Sequence, residues 1–277
     1  MLNTRASAGD TMTEKKSDNQ GQTIGSVEKA LDVVDIIREK EPVNATEVAD
    51  SLNQSKSSVS HYLSTLSKRG YIERVGVQYQ LGIKFLALGG KAREHERLFR
   101  LGKEDADEFS RETGDKVRLI TERDDNGITL YQAAGNHIDE SETHVGTTEA
   151  LYCTAAGKAF LAEISKKELD RYLNNNTLKP HTTNTITDKE QLRSELDKVR
   201  SSGIAFDDQE RYEGVRCVAA SITLSDGSIL GTFSVSAPVE QMPEDRFRVD
   251  IPDRIQNTVT VVKINTTYSE WMNSGIN

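Results

Sequence analysis

The chain has 277 residues and a formal net charge of −9, a length that suits two domains at roughly 100–200 residues each. No run approaches the ~18 continuous apolar residues of a membrane helix, so no membrane partner is expected. The overall acidity argues against an indiscriminate nucleic-acid binder, which is usually basic throughout.

The acidity is uneven. Between Ile24 and Glu94 ten Lys and Arg face nine Asp and Glu. A near-neutral module joined to an acidic one can still bind DNA if its cations share one face. The acidic balance suits a salt-adapted host, such as a haloarchaeon, as well as an ordinary acidic protein. Residues 1–22 have no apolar signal core and read as a polar, disordered arm, which places the protein in the cytoplasm. The two cysteines, Cys153 and Cys217, lie far apart with no CxxC spacing. A zinc site built mainly from thiolates is not expected, and two reduced, buried thiols suit the chain better than one long-range disulfide. No cofactor or metal is expected.

A first helix follows Gly25, with Ser26 as its expected cap and Val27, Ala30, Leu31, Val34 and Ile37 on one apolar face. Asn44, with Glu47 three residues on, caps a short second helix that buries Val48, Ala49 and Leu52. A third helix spans about 56–69, with Val59, Leu63 and Leu66 inward. Its outward face carries Lys56, Ser57, Ser58, Ser60, His61, Ser64 and Lys68. Small hydroxyl residues and a few cations suit close approach to phosphates and base edges, although Ser-rich faces are also common on solvated helices. Gly70 ends the helix. Two alternating runs around Val75-Gly76 then predict a hairpin. Helix-helix-helix-hairpin is the order of a winged helix-turn-helix, and Lys68, Arg69 and Arg74 are placed to meet phosphates.

Residues 83–100 predict a linker helix interrupted or bent at Gly89-Gly90, because two glycines cost ~2 kcal/mol of helix propensity. A helix at about 102–113 follows. From Val117 the texture turns to strands, with a hairpin whose tip is expected at Asn126-Gly127. Helices are expected near 155–161, 166–173, 188–202 and 251–267. Strands are expected at 203–206, 216–224 and 229–236. Antiparallel strands with flanking helices make an α+β domain.

Several separated motifs, in order over about residues 24–265, resemble the IclR family of transcription regulators. Ser26-Val27-Glu28-Lys29-Ala30-Leu31-Asp32-Val33 resembles the family's opening helix. Lys56-Ser57-Ser58-Val59 and Arg69-Gly70-Tyr71-Ile72 resemble its recognition helix and wing entry, and Tyr79-Gln80-Leu81-Gly82 the wing exit. Leu151 to Leu161, Thr185-Ile186-Thr187-Asp188, the runs from Gly203 and Glu213, and Gly231-Thr232-Phe233-Ser234-Val235-Ser236 resemble the second domain. Where relatives often carry a basic residue after the Val, this chain has Ser60-His61.

The resemblance implies a winged helix-turn-helix at 23–82, a linker at 83–100 and a GAF-like α+β effector domain at 101–270. It implies a double-stranded DNA operator and a small-molecule effector such as a small organic acid or catabolic intermediate. One winged module buries too little area for tight binding, so a homodimer or homotetramer is expected, joined through Phe85, Leu86 and Leu88 of the helix at 83–95. By motif position the effector is lined by Thr154, Ala155, Ala156, Asp208, Cys217, Ser234 and Ser236. The residue types fit: a helix start offers N–H groups to an anion, and Ser234 and Ser236 share one strand face. Cys153 reads as core packing and Cys217 as pocket wall. Thiol catalysis by the two cysteines is the rival reading, but it needs a neighbouring base or cation. His137, His144 and His181 show no diagnostic spacing, and Arg216 projects away from Cys217. No enzyme is expected. A purely architectural DNA-binding protein would leave the long second domain without a role.

Overall fold

A computed structural model describes residues 23–136 and 143–274. The polar arm at 1–22 and His137 lie outside the described residues. The chain divides into two compact units between Gly89 and Gly90.

The first unit contains helix α1 (Gly25–Lys40), strand β1 (Val43–Asn44), helices α2 (Ala45–Ser51) and α3 (Lys56–Lys68), and strands β2 (Ile72–Val75) and β3 (Gln78–Leu81). The strands form an antiparallel sheet in the order β1-β3-β2. Its core joins Val33 and Ile37 of α1, Val43, Val48, Ala49, Val59, Leu63 and Ile72. This corrects the expected face of α1, since Val27 and Leu31 are 53% and 59% exposed. The core covers only the later turns of α1, where Val33 and Ile37 stack four residues apart. Ile24, rather than Ser26, is the N-cap of α1 and makes no side-chain cap bond. The capping box at α2 forms as the sequence expects, with Asn44 Oδ1 accepting from Thr46 N and Glu47 N while Glu47 accepts from Asn44 N. Gly70, at φ +76°, closes α3. Tyr71 N donates to Leu66 O and Gly70 N to Ser67 O, a Schellman ending that needs the left-handed conformation glycine supplies.

The region expected to be one linker helix is two. Helix α4 (Lys84–Glu94) includes both Gly89 and Gly90, and α5 (Arg97–Thr113) begins before residue 100. The glycine pair therefore does not interrupt α4. Backbone hydrogen bonding outweighs a propensity cost of ~1 kcal/mol per glycine.

The second unit holds a six-stranded antiparallel sheet in the order β6-β5-β4-β9-β8-β7. Its strands are β4 (Lys116–Arg123), β5 (Asn126–Ala133), β6 (Thr148–Ala150), β7 (Ala205–Asp208), β8 (Val215–Thr223) and β9 (Ile229–Pro238). The β4–β5 turn is not at Asn126-Gly127. Arg123 pairs with Asn126, so Asp124 and Asp125 form the tip, with φ of 52° and 63°. Asp tolerates this left-handed region through its short polar side chain. A 3-10 turn (Leu151–Cys153) leads into α6 (Ala155–Glu163), followed by α7 (Lys166–Asn175) and α8 (Lys189–Ser202). A π-turn (Arg246–Asp250) precedes α9 (Ile251–Ser274), which continues beyond the expected end at 267.

The sheet has two unlike faces because side chains alternate along each strand. Val117, Leu119, Phe233, Val235, Val218 and Ala220 pack with Leu98, Ala106 and Phe109 of α5 and with Ile251, Ile255, Val259 and Val262 of α9. Cys217, Ala219 and Ala205 face the opposite way, toward α6 and α8. No helix of the described residues is long and apolar enough to cross a membrane.

Candidate functional site

In the first unit, every residue proposed from sequence to meet DNA is exposed: Lys56, Ser57, Ser58, Ser60, His61, Ser64, Lys68, Arg69 and Arg74. Lys56, Ser60, Ser64 and Lys68 recur every four residues and so line one stripe of α3. Three of these side chains have local work. Ser55 Oγ, the α3 cap, accepts from Ser58 N at 3.2 Å and shares hydrogen bonds with the Ser57 and Ser58 hydroxyls at 2.9 and 2.8 Å. Arg74 folds back on its hairpin, with Nε donating to Gly76 O at 2.9 Å and the guanidinium 6.0 Å from the Tyr79 ring centre. The wing thus holds a cation close to its tip. Lys84 is a further cation beside α3 that the sequence reading missed: its Nζ donates to Arg69 O at 3.2 Å and lies over Tyr71.

In the second unit, pairing register assembles the site. Arg118, Ser234 and Ala219 form one cross-strand row, and Ala205 pairs with Ala219. Lys116, Ser236, Cys217 and Asp207 form the next row. Directly paired residues share a face, so both rows lie on one side of the sheet. Ser234, Ser236 and Cys217 are brought together as the sequence suggested. Thr154, Ala155 and Ala156 open α6, which packs over the same face, and all three are buried. Thr154 Oγ1 caps α6 by accepting from Gly157 N at 3.1 Å. Gly157 is glycine for packing, since an added Cβ would overlap the Leu151 backbone.

Asp208 is not on this face. It pairs with Arg216 across β7 and β8, and Arg216 donates to both of its carboxylate oxygens, at 2.8 and 3.2 Å. Arg216 also lies over Phe247, on the other side of the sheet. Asp207 takes the position expected of Asp208, because its partner is Cys217. Asp207 is 2% exposed. Its Oδ1 accepts from Glu210 N at 2.7 Å and Arg211 N at 3.4 Å. Burial, with the neighbouring Glu210 charge, pushes its carboxyl up to about 7, against the pull of Lys158.

Sequence reasoning missed most of the charge here. Lys158 of α6, 1% exposed, forms a short ion pair with Glu210, whose carboxyl is raised by burial. Arg118 donates to Glu149 Oε2 at 2.7 Å, and their side chains are 5% and 6% exposed. Arg211 Nε donates to Glu149 Oε1 at 3.4 Å. Arg211 also donates to His181 Nδ1 at 2.8 Å, and His181 Nε2 meets the Tyr152 hydroxyl at 3.1 Å. The only available signal was polar residues at alternating positions of otherwise apolar strands, Lys116 and Arg118 among them. Among the described residues, neither the buried Ser234 Oγ nor Glu210 Oε2 has a hydrogen-bond partner. Buried polar atoms left this way cost about 1–3 kcal/mol each, a cost a polar ligand can remove.

Thiol chemistry finds no support. Neither cysteine is in a disulfide, and both are buried. Burial pushes the Cys153 thiol up to about 12, away from the thiolate a nucleophile needs. Among the described residues no cluster of three or more His, Cys, Asp or Glu is arranged to hold a metal ion.

Two family models match the chain. The IclR helix-turn-helix domain covers residues 26–76, and the bacterial transcriptional regulator IclR C-terminal domain covers residues 91–263. The HTH-type transcriptional regulator ArcR of Halobacterium salinarum is 28% identical over 255 residues, 91% of this chain and 97% of that protein. The crystal structure of Thermotoga maritima IclR superposes with a TM-score of 0.72 at 27% identity, covering 86% of this chain and 97% of that one. An IclR homologue from Microbacterium hydrocarbonoxydans, complexed with 4-hydroxybenzoate, shares the fold at a TM-score of 0.75 and 14% identity, over 86% of this chain and 98% of its own. An exposed helix-turn-helix face and a second unit with a polar, buried sheet face are thus joined in one chain that belongs to the IclR family of transcriptional regulators.

Proposed function

We propose that the chain binds a double-stranded operator through α3 and the wing, and that a small polar metabolite held on the polar face of the second unit's sheet sets operator affinity. Residues 23–82 read DNA. Residues 101–270 form a GAF-like effector domain, lined by Thr154, Ala155, Ala156, Asp207, Cys217, Ser234 and Ser236. The observation that carries the reading is Ser234 Oγ, buried without a partner in the row that also holds Arg118. The 4-hydroxybenzoate held by the Microbacterium homologue supports a small organic acid as the class.

A ligand changes an equilibrium only through differential affinity for two states of the protein, and a coupling of ~1–3 kcal/mol changes operator affinity about 5–150-fold. The protein acts in the cytoplasm as a homodimer or homotetramer, because one winged module buries too little area for tight binding. In α4, Phe85 is half-buried 5.5 Å from the Tyr71 ring. Leu86 and Leu88, with Ile83 just before the helix, stay 71%, 47% and 74% exposed and offer the apolar contact. A monomer by light scattering at micromolar concentration rejects the assembly.

The effector reading is tested by thermal shift against a metabolite panel, followed by gel-shift titration. Ser234→Ala with Ser236→Ala should abolish the effector response and leave effector-free operator affinity nearly unchanged. A double variant that still responds normally places the pocket elsewhere.

A further inference from the structure

Glu149 has an unusual position for an edge-strand residue. β6 is three residues long and forms the edge of the sheet, paired with β5, yet Glu149 turns inward and is 6% exposed. Its two oxygens go to different guanidinium groups. Oε2 accepts from Arg118 of the central strand β4 at 2.7 Å, and Oε1 from Arg211 of the β7–β8 loop at 3.4 Å. Its charge also acts on Tyr212, whose phenol is raised first by burial and then by Glu149. A carboxylate between two guanidinium groups is the arrangement a protein uses to hold a bound organic acid. Here the acid belongs to the chain, and it lies on the sheet face that carries the unpartnered Ser234 hydroxyl.

We infer that Glu149 is an internal ligand of the effector site: its carboxylate fills, between Arg118 and Arg211, the place a small carboxylate takes on binding, so such ligands compete with the chain itself. The inference rests on the reading of this sheet face as the effector site. It adds a selectivity rule. A tethered carboxylate acts at high effective concentration. A bare carboxylate such as acetate therefore cannot displace Glu149, whereas an acid with a further polar group that reaches Ser234 can. Displacement also has a direct structural consequence. β6 runs straight into the Leu151–Cys153 turn and the Thr154 cap of α6, and only three register pairs hold it to β5. Release of Glu149 thus loosens the strand that leads into the helix covering the site.

The test is chemical rescue in the full chain. Glu149→Ala should melt below wild type, and acetate should raise its Tm saturably by about 2–4 °C or more. Sodium chloride at equal ionic strength should not, and wild type should not respond to acetate. Adding Arg211→Ala to Glu149→Ala should remove the rescue. If Glu149→Ala does not fold, Glu149→Ser opens the same space between Arg118 and Arg211 and should show the same acetate response. Equal acetate shifts in wild type and variant, or no shift in either variant, overturn the inference. If acetate rescue fails while a metabolite response persists and depends on Ser234 and Ser236, Glu149 is not the internal ligand and the effector site stands. Loss of the serine dependence alone strikes the site reading instead.

Discussion

Arg211 donates to His181 Nδ1 at 2.8 Å, and this single contact assigns the protons of a four-member chain. A guanidinium has no acceptor, so Nδ1 must be bare and His181 neutral, with its proton on Nε2. Nε2 then donates to the Tyr152 oxygen at 3.1 Å, and the Tyr152 hydroxyl donates to Lys179 O at 2.7 Å. His181 is held below its ordinary pKa by burial first, then by Arg211 and Lys179, with Glu149 opposing. The fold favours the neutral ring. The contribution is therefore present above the unfolded value of about 6.5 and lost as pH falls through it toward the lower folded value. Urea melts at pH 8, 6.5 and 5 on wild type and His181→Asn should show wild type losing stability relative to the variant as pH falls. A difference that is flat across that range rejects the assigned tautomer.

Asp207 titrates in the opposite sense. Its folded carboxyl lies at about 7, above the 3.8 of an unperturbed Asp, so the fold prefers it protonated. Its contribution is fully present below about 3.8 and is lost progressively as pH rises toward 7. Asp207→Asn keeps an oxygen for the Glu210 and Arg211 backbone N–H groups and removes the charge. The variant should gain stability over wild type between pH 4 and 7 and hold the gain at pH 8. Denaturant melts that show the gain shrinking with pH reverse the sign and contradict the burial argument.

Gly89 and Gly90 lie inside α4, and an added Cβ at either meets nothing within 4 Å. Packing gives neither a reason to be glycine. Alanine should stabilise the helix at each position by about 0.4–1 kcal/mol, chiefly by restricting the unfolded chain. A compensating loss of effector response in gel-shift assays would give the glycines a functional reason. If either variant is destabilised in thermal melts, the helix does not run through the pair.

On α3, Ser57 and Ser58 lie in the cap cluster around Ser55, and His61 is one turn further on. Replacing Ser57, Ser58 and His61 by Ala should weaken operator binding more than binding to unrelated DNA. Lys56→Ala and Lys68→Ala should weaken both alike and lower the salt slope of log K by about one each. Equal losses on both DNAs for the serine and histidine triple variant mean that these side chains touch phosphates alone.

The short-range features of this chain were legible in its sequence. The Asn44–Glu47 capping box, the Gly70 ending of α3 and the helix-turn-helix-hairpin order depend on residues within about one turn of each other, where local hydrogen bonding decides. What the sequence left open was long-range. Asp207 rather than Asp208 shares the sheet face of Cys217 and Ser236 because β7 pairs with β8 in the register Asp207–Cys217, and a one-residue shift turns every side chain to the other face. Arg118 and Glu149 meet because β5 lies between β4 and β6. Val33 rather than Val27 is core because the first unit covers only part of α1. Helical periodicity names a stripe, but only tertiary packing decides which part of it is covered. Charge pairing across a sheet has no period along the chain at all, so the buried ions of this sheet face became visible only once the strands were side by side.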